Sequence, residues 1–302
     1  MWTTLQHERA LAFAREAGDD ACEAQASSGL ADAMYAGGRL ISAQAAFERC
    51  VALCERRGDA RFALMNRLMA ALIDHYRGRV APALARMEAV RLEAREIGHR
   101  VAEVMADECM AMVHSTTGRQ AEALRTVERS LALAREISSR RFIAFDLLLL
   151  ARLEAARGRR DVAAAHLDEA WSILQEVGVG LAGPMVLAAQ ARFSSGDAER
   201  RDRLARGEAL LGPDAISHNH YWYRMDAIDA SLDAGELDEA ARHADALERY
   251  MADERTEWGD FIVTRARAVV ASRRGTATPA TFETLRERAA AFGYVGDLPA
   301  GH

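Results

Sequence analysis

The residues with the greatest chemical potential lie together in the C-terminal half of the chain. They are His218, His220, Tyr221, Trp222 and Tyr223. Two imidazoles at i and i+2 on an extended backbone, beside aromatic rings, would suit a metal ion or an anion. These side chains are therefore a candidate ligand cluster.

A structural role is the alternative for this cluster. Ser217 or Asn219 would cap a helix that begins here, and the rings would fill a gap in the packing. No third ligand with matching spacing is visible in the sequence. The sequence therefore favours the structural role and predicts neither a metal nor another cofactor.

The four cysteines also predict packing rather than chemistry. Cys22, Cys50, Cys54 and Cys109 form no CxxC pair. Cys50 and Cys54 share a helix face, but they lie about 6 Å apart along the axis with no histidine nearby. No spacing brings a nucleophile to a base or pairs two carboxylates, so we expect no catalytic residues and no enzyme.

The charge balance limits the classes of partner. The 302 residues include 39 basic and 45 acidic side chains, for a net charge of -6, so there is no broad field to attract a phosphate backbone. Nucleic acid is not an expected partner. No apolar run of about 20 residues and no signal peptide is visible, which predicts a cytoplasmic protein without a membrane segment.

Glycines at a regular spacing indicate the elements that position these side chains. Gly38, Gly78, Gly118 and Gly158 are 40 residues apart, and the series continues through Gly196, Gly235 and Gly275. A second set lies halfway between them, at Gly18, Gly58, Gly98 and Gly178, with Ser138 in the missing place. Glycine is suited to the left-handed end of a helix, so we expect helices of about 17 to 19 residues in an all-α chain.

Apolar residues at i, i+3, i+4 and i+7 recur in each half-period, so the unit is a helical hairpin. Position by position the unit resembles the tetratricopeptide repeat, stretched to about 40 residues. Small residues follow the turns, and a large apolar residue comes four positions later, as in Ala43, Ala83, Ala123, Ala163 and Ala240, then Phe47, Met87, Val127 and Leu167. The resemblance implies a right-handed α-solenoid, stabilised by contacts between neighbouring repeats.

The repeat phase predicts one domain over residues 1–302, with about seven helix pairs and an irregular repeat at 183–212. Residues 4–17 match the second helix of a hairpin and have no first helix before them. The array thus begins in mid-unit, so we expect the sequence to be part of a larger protein.

Two segments, at 207–250 and 256–268, go beyond a generic repeat. Together with the opening GLADAMYAGGRLISAQAAFERCVALC, they resemble the C-terminal region of bacterial signalling proteins in which a cyclase domain and an AAA-type ATPase precede tetratricopeptide repeats. No βαβ pattern and no GxxxxGK[ST] loop is present, so the enzymatic parts do not carry over. The resemblance implies a regulatory, protein-binding tail whose partner is a peptide, another protein or its own cyclase and ATPase domains.

In tetratricopeptide arrays the first helices line the concave face, at about 13, 10, 6 and 3 residues before each turn glycine. Side chains at these positions are largely apolar and rich in methionine, which suits an amphipathic helix or an extended peptide. The candidate groove residues are Met65, Leu68, Leu72, His75, Met105, Met112, Phe145, Leu148, Arg152, Trp222 and Met225. Three alternatives stand beside this groove: tight winding that buries the wall, a small-molecule sensor at the aromatic and histidine cluster near Trp222, and, less favoured, an enzyme on a helical scaffold.

Overall fold

The protein is described by a computed structural model over residues 4–212 and 215–299, which form fifteen helices and no strand. The all-α prediction is confirmed. The first eight helices are α1 (Thr4–Ala17), α2 (Asp20–Ala36), α3 (Leu40–Arg57), α4 (Ala60–Tyr76), α5 (Val80–Glu96), α6 (Arg100–Thr116), α7 (Gln120–Glu136) and α8 (Arg140–Ala156). The others are α9 (Arg160–Val177), α10 (Gly183–Ala191), α11 (Asp197–Ala209), α12 (Ser217–Asp233), α13 (Leu237–Tyr250), α14 (Glu257–Arg273) and α15 (Pro279–Phe292).

Left-handed residues end most of these helices, as the glycine spacing predicts. The glycines of both series have φ between 64° and 109°, with one exception. Ser138 replaces glycine and still has a φ of 55°, a conformation that side chains other than glycine rarely adopt. The exception is Gly196, for which the prediction is wrong: its φ is −164°, and it precedes α11 as the N-cap residue.

Consecutive helices pack against each other as pairs, which is the arrangement of a helical-repeat solenoid. Each even-numbered helix from α4 to α12 also contacts the next even-numbered helix, so that contacts run from α4 to α14. These helices therefore form the inner layer of the fold. The alanines predicted to allow close approach, Ala43, Ala83, Ala123, Ala163 and Ala240, are all completely buried.

The chain is irregular at α10 and α11, which have only 9 and 13 residues. All nine residues of α10 are buried, because α9, α11 and α12 pack around it. Since α10 is short, the inner layer is interrupted between α8 and α12.

The inner layer closes on itself, because α14 contacts α4. We call the contacts between residues 35–42, 75–78 and 116–119 on one side and residues 217–296 on the other the closure seam. Glu254 Oε2 accepts hydrogen bonds from the backbone N–H groups of Ile41 at 2.6 Å and Ser42 at 3.0 Å. Further along, the N–H of Val295 donates to the carbonyl oxygen of Thr117 at 2.9 Å. Residues far apart in sequence are thus held together by hydrogen bonds that involve backbone groups.

Aromatic rings fill the centre of the closure seam. The Tyr76 ring packs edge-on against Tyr221 and Trp258, with both centroid distances at 4.9 Å. His75 lies 5.3 Å from Trp258 and 5.2 Å from Phe292. All five side chains are at most 1% exposed. Each such aromatic pair adds about 0.5–1.5 kcal/mol beyond its buried area, so the seam is a major part of the core.

The seam predicts different effects for two glycines with nearly the same backbone. Gly98 has φ 66° and nothing near its missing Cβ, whereas Gly78 has φ 68° and a Cβ there would lie 2.2 Å from the carbonyl oxygen of Ala291. We expect Gly98→Ala to lower the unfolding free energy by about 1–2 kcal/mol, the usual cost of a left-handed alanine. Gly78→Ala should cost about 2 kcal/mol more, because the seam must move.

Urea denaturation of the two variants and the unmodified chain measures both changes. Equal losses for Gly78→Ala and Gly98→Ala would show that α15 does not pack against the end of α4 in solution.

Candidate functional site

Most of the predicted groove residues are covered by the chain itself. Seven of them are at most 5% exposed, namely Leu68, Leu72, His75, Met112, Phe145, Leu148 and Trp222. Met65, Met105, Met225 and Arg152 are partly buried. Burial of this wall corresponds to the alternative in which winding of the array covers its own inner face. A peptide could reach the seven buried side chains only if the inner layer rearranged, whereas Met65, Met105 and Met225 keep part of their surface exposed.

The histidine and tyrosine cluster lies on α12, and its side chains have separate partners. His218 Nε2 lies 2.8 Å from the carbonyl oxygen of Leu181, and the His220 ring stacks on Tyr250 at 3.8 Å. The Tyr221 hydroxyl lies 2.9 Å from Thr256 Oγ1. The Tyr223 hydroxyl donates to the carbonyl oxygen of Leu204 at 2.6 Å. These contacts support the role of the rings in packing.

Two details of the sequence prediction are wrong at this point. His218 and His220 lie on a helix that begins at Ser217 and not on an extended backbone, so i and i+2 project in different directions. Neither Ser217 nor Asn219 caps α12, because its N-cap residue is Ile216 and no side chain bonds there. Ser217 Oγ instead donates to the carbonyl oxygen of Tyr35 in the closure seam.

Burial keeps the two imidazoles neutral near neutral pH. It lowers the pKa of both His218 and His220 to about 4; the Leu181 carbonyl partly opposes the shift at His218, and the Arg224 charge adds to it at His220. Within residues 4–212 and 215–299, no group of three or more His, Cys, Asp or Glu side chains is arranged to hold a metal ion.

An opening remains in the inner layer beside the interrupted region, and we call it the polar pocket. It is a cavity of about 190 Å³. Several elements position its lining side chains: α8 supplies Arg152, Arg192 follows the end of α10, and α14 supplies Arg265, Trp258 and Phe261. Ser115 and Thr116 of α6 and Gln120 of α7 also line it. Tyr294 lines it from the segment after α15. On α12, positions i, i+4 and i+7 share one face and contribute Trp222, Asp226 and Asp229.

Ion pairs connect the charged residues of the polar pocket. Arg152 pairs with Asp226, and its guanidinium carbon lies 4.0 Å from the centre of the Trp222 ring. Asp229 accepts a hydrogen bond from Arg265 at 2.6 Å and lies 3.7 Å from Arg192. The network joins α8, α10, α12 and α14, so it also determines how these helices are spaced.

In the most deeply buried ion pair, Arg152–Asp226, burial and the neighbouring charges shift the pKa values in opposite directions. Burial raises the pKa of Asp226 to about 6, although Arg152 and Arg192 lower it. Burial also lowers the pKa of Arg152 to about 10, although Asp226 raises it. Both groups therefore remain charged at pH 7, at an electrostatic cost that the fold has to offset.

The sequence identified only part of the polar pocket. Arg152, Trp222 and Met225 belong to the predicted groove, whereas Arg192, Asp226, Asp229 and Arg265 were missed. A positional signal existed for Arg265 and Asp229, because they lie ten and six residues before a turn glycine, although polar residues such as Glu108 and Gln190 also stand at these positions in other repeats. Arg192 gave no such signal, since it lies where α10 ends early.

A second opening of about 510 Å³ lies between α1 and α2, and it is mostly apolar. Ala10, Phe13, Ala14 and Ala26 are among its lining residues. Phe13 is 64% exposed, and Leu5 on the same helix is 63% exposed. The helix α1 thus leaves two large apolar side chains in contact with solvent.

Comparison with known proteins adds no family assignment. A scan against protein-family models and a search of curated proteins both find no match. Among the described residues, no helix combines the length and hydropathy needed to cross a membrane.

The His75 imidazole predicts a pH dependence of stability. Burial lowers its pKa from 6.5 to about 3, and its Nε2 lies 3.0 Å from Thr116 Oγ1. Because the folded pKa lies below the unfolded one, the unfolded chain takes up a proton first, and stability falls as the pH drops from 6.5 towards 3. Between about pH 7 and about pH 4.5, His75 should remove about 2–3 kcal/mol of unfolding free energy.

His75→Gln keeps a polar partner for Thr116 and removes the titration. Denaturation of both proteins at the two pH values isolates the effect, since His218 and His220 titrate in both. A parallel loss of stability in the variant and the unmodified chain would show that His75 is not buried as a neutral imidazole.

Proposed function

We propose that this protein is a helical-repeat binding module that senses a small molecule in the polar pocket. The observation that supports this most is the convergence of Arg152, Arg192, Arg265 and Trp222 on one cavity in the inner layer. Charged groups inside a concave, partly aromatic site are typical of ligand recognition.

The pocket's dimensions favour a small ligand. Ligand sites commonly enclose about 300–1,000 Å³, so a cavity of about 190 Å³ suits a metabolite of modest size. Its walls come from α8, α12 and α14, which also build the inner layer. A ligand bound there would contact several repeats at once and would change the stability of their packing. That coupling is how we propose that occupancy is transmitted.

The family assignment belongs to the same proposal. We propose that the array is of the tetratricopeptide type and serves as the regulatory region of a bacterial cytoplasmic signalling protein. The repeated hairpins and their buried small residues support the first part. The segments at 207–250 and 256–268 support the second part through their resemblance.

A protein partner is a second candidate function, and the apolar face of α1 favours it. Phe13 is exposed in the groove between α1 and α2, and Leu5 is exposed elsewhere on α1. Exposed apolar patches of this kind are common at protein interfaces. Under this proposal, a peptide or protein would bind at the α1 end of the array rather than along the covered inner wall.

A fluorescence screen tests the proposed small-molecule function. Trp2→Phe combined with Trp171→Phe leaves Trp222 and Trp258 as the emitting residues, and both belong to the pocket. We expect a pocket ligand to shift their emission and to raise the melting temperature of the protein. Arg265→Ala should weaken that ligand about tenfold or more, because it removes a charged hydrogen-bond donor.

Arg267→Ala is the matched control on the same helix. Arg267 is 47% exposed and pairs with Asp245 and Glu248 outside the pocket. Equal affinity of the two variants for a screened ligand would place its site elsewhere. A complete absence of emission changes across a metabolite library would argue against a sensor.

A further inference from the structure

The polar pocket's unpaired atoms and charges specify the ligand more closely. Resting on the proposed function, we infer that the ligand is a small organic molecule with one anionic group, a carboxylate or a phosphate. Arg152, Arg265 and the Trp222 indole would recognise the anionic group, and its apolar body would lie against Trp258 and Phe261.

Unpaired hydrogen-bond donors are the first observation behind this inference. Trp222 is completely buried, and its Nε1 has no hydrogen-bond partner. Arg152 Nε is also buried and has none. Both side chains line the polar pocket, and both atoms can only donate, so a ligand acceptor that reaches them would satisfy them. Among the lining side chains that the structure describes, no buried acceptor lacks a partner.

Energetics favour filling these two positions with an acceptor. A buried donor without a partner costs about 1–3 kcal/mol, which a ligand oxygen would recover on binding. A charged oxygen forms a shorter and stronger hydrogen bond than a neutral one. The unpaired donors therefore favour an anion over an amide or an alcohol.

The charge inventory of the lining is the second observation. Three arginines, Arg152, Arg192 and Arg265, face two aspartates, Asp226 and Asp229, which leaves an excess of one positive charge. Arg192 also lies 3.5 Å from Asp233, but that carboxylate is 57% exposed and does not line the pocket, and an exposed ion pair of this kind holds its arginine only weakly. The excess positive charge inside the cavity is thus available to a ligand.

A cationic ligand fits these contacts poorly. Asp226 already pairs with Arg152, and Asp229 already pairs with Arg265. A cation would have to displace a guanidinium from a carboxylate and would leave a buried arginine unpaired, at a cost of several kcal/mol. An anion can bind the remaining guanidinium hydrogens without breaking either pair, because each arginine has five N–H donors.

The apolar walls indicate that the anion carries an organic body. Trp258 and Ile262 are 1% exposed and Phe261 is 5% exposed, and all three line the cavity from α14. Water gains little from such walls, whereas an aromatic or aliphatic group buries its surface against them. An inorganic ion alone would leave this part of the pocket unused.

Four probes that share a phenyl ring and differ in the head group test the inference by isothermal titration calorimetry with the full chain. Benzoate, benzamide and benzamidine carry a negative, a neutral and a positive head on the same ring, and phenyl phosphate replaces the carboxylate by a phosphate. We expect benzoate or phenyl phosphate to bind at least about tenfold more tightly than benzamide, and benzamidine not to bind. The stronger of the two anions identifies the preferred head group.

Trp222→Phe provides the residue-level control, because it keeps an aromatic ring and removes the N–H. It should weaken the anion about tenfold and benzamide by a smaller factor, because a neutral carbonyl accepts a weaker hydrogen bond, while Arg267→Ala should affect neither. Circular dichroism and a melting curve confirm that Trp222→Phe remains folded, and Arg265→Gln serves in its place if it does not.

The outcomes separate this inference from the proposed function. Benzamide or benzamidine binding as tightly as benzoate, with loss in Arg265→Gln, would overturn the anion and leave the pocket as a ligand site. No binding by any of the four probes at millimolar concentration would overturn both.

Discussion

Packing of α4 against α14 is the constraint on which the rest of this structure depends. Tyr76 and His75 at the end of α4 pack on Trp258 at the start of α14, with ring centroids within 5.3 Å. Once these rings meet, the inner helices can no longer present an open groove. The apolar side chains of α4, α6 and α8 become core, because the second half of the chain supplies their missing neighbours.

That closure also explains why the remaining opening is polar. Where the rings of the closure seam end, the inner positions change from leucine and methionine to Arg152, Asp226, Asp229 and Arg265. A short α10 leaves space beside these side chains, and their ion pairs take the place of apolar contacts between α8, α12 and α14. The region is costly to bury, and such costs are common where a protein recognises a ligand.

Local features of this fold were predictable from the sequence, and long-range ones were not. Turn glycines predicted where helices end, and even Ser138 adopts the left-handed conformation that its place in the series requires. Gly196 was predicted to end a helix but precedes one, because the residue type alone does not distinguish a glycine at the start of a helix from one at its end. The helix at Ser217 was expected, but the predicted cap is wrong, since Ser217 bonds to Tyr35, 182 residues earlier.

The same distinction applies to the candidate site. The distance of a residue from the turn glycine predicts whether it lies on the inner side of its helix, which is why Arg152, Trp222 and Met225 were among the predicted groove residues. Whether an inward residue faces solvent depends on how tightly successive repeats wind, and small differences in packing accumulate over many helices. Leu68 and His75 are therefore buried, although no local sequence pattern predicts that distant helices pack against them.

Hydrogen exchange at the start of two helices tests the closure most directly. The second and third residues of a helix have no intrahelical acceptor for their N–H groups, so these hydrogens normally exchange fast. In α3, Glu254 accepts from Ile41 and Ser42 across the seam, whereas Ala121 and Glu122 hold the same positions in α7 without an acceptor among the described residues. The closed structure predicts slow exchange at Ile41 and Ser42 and fast exchange at Ala121 and Glu122. Equally fast exchange at all four amides would contradict it.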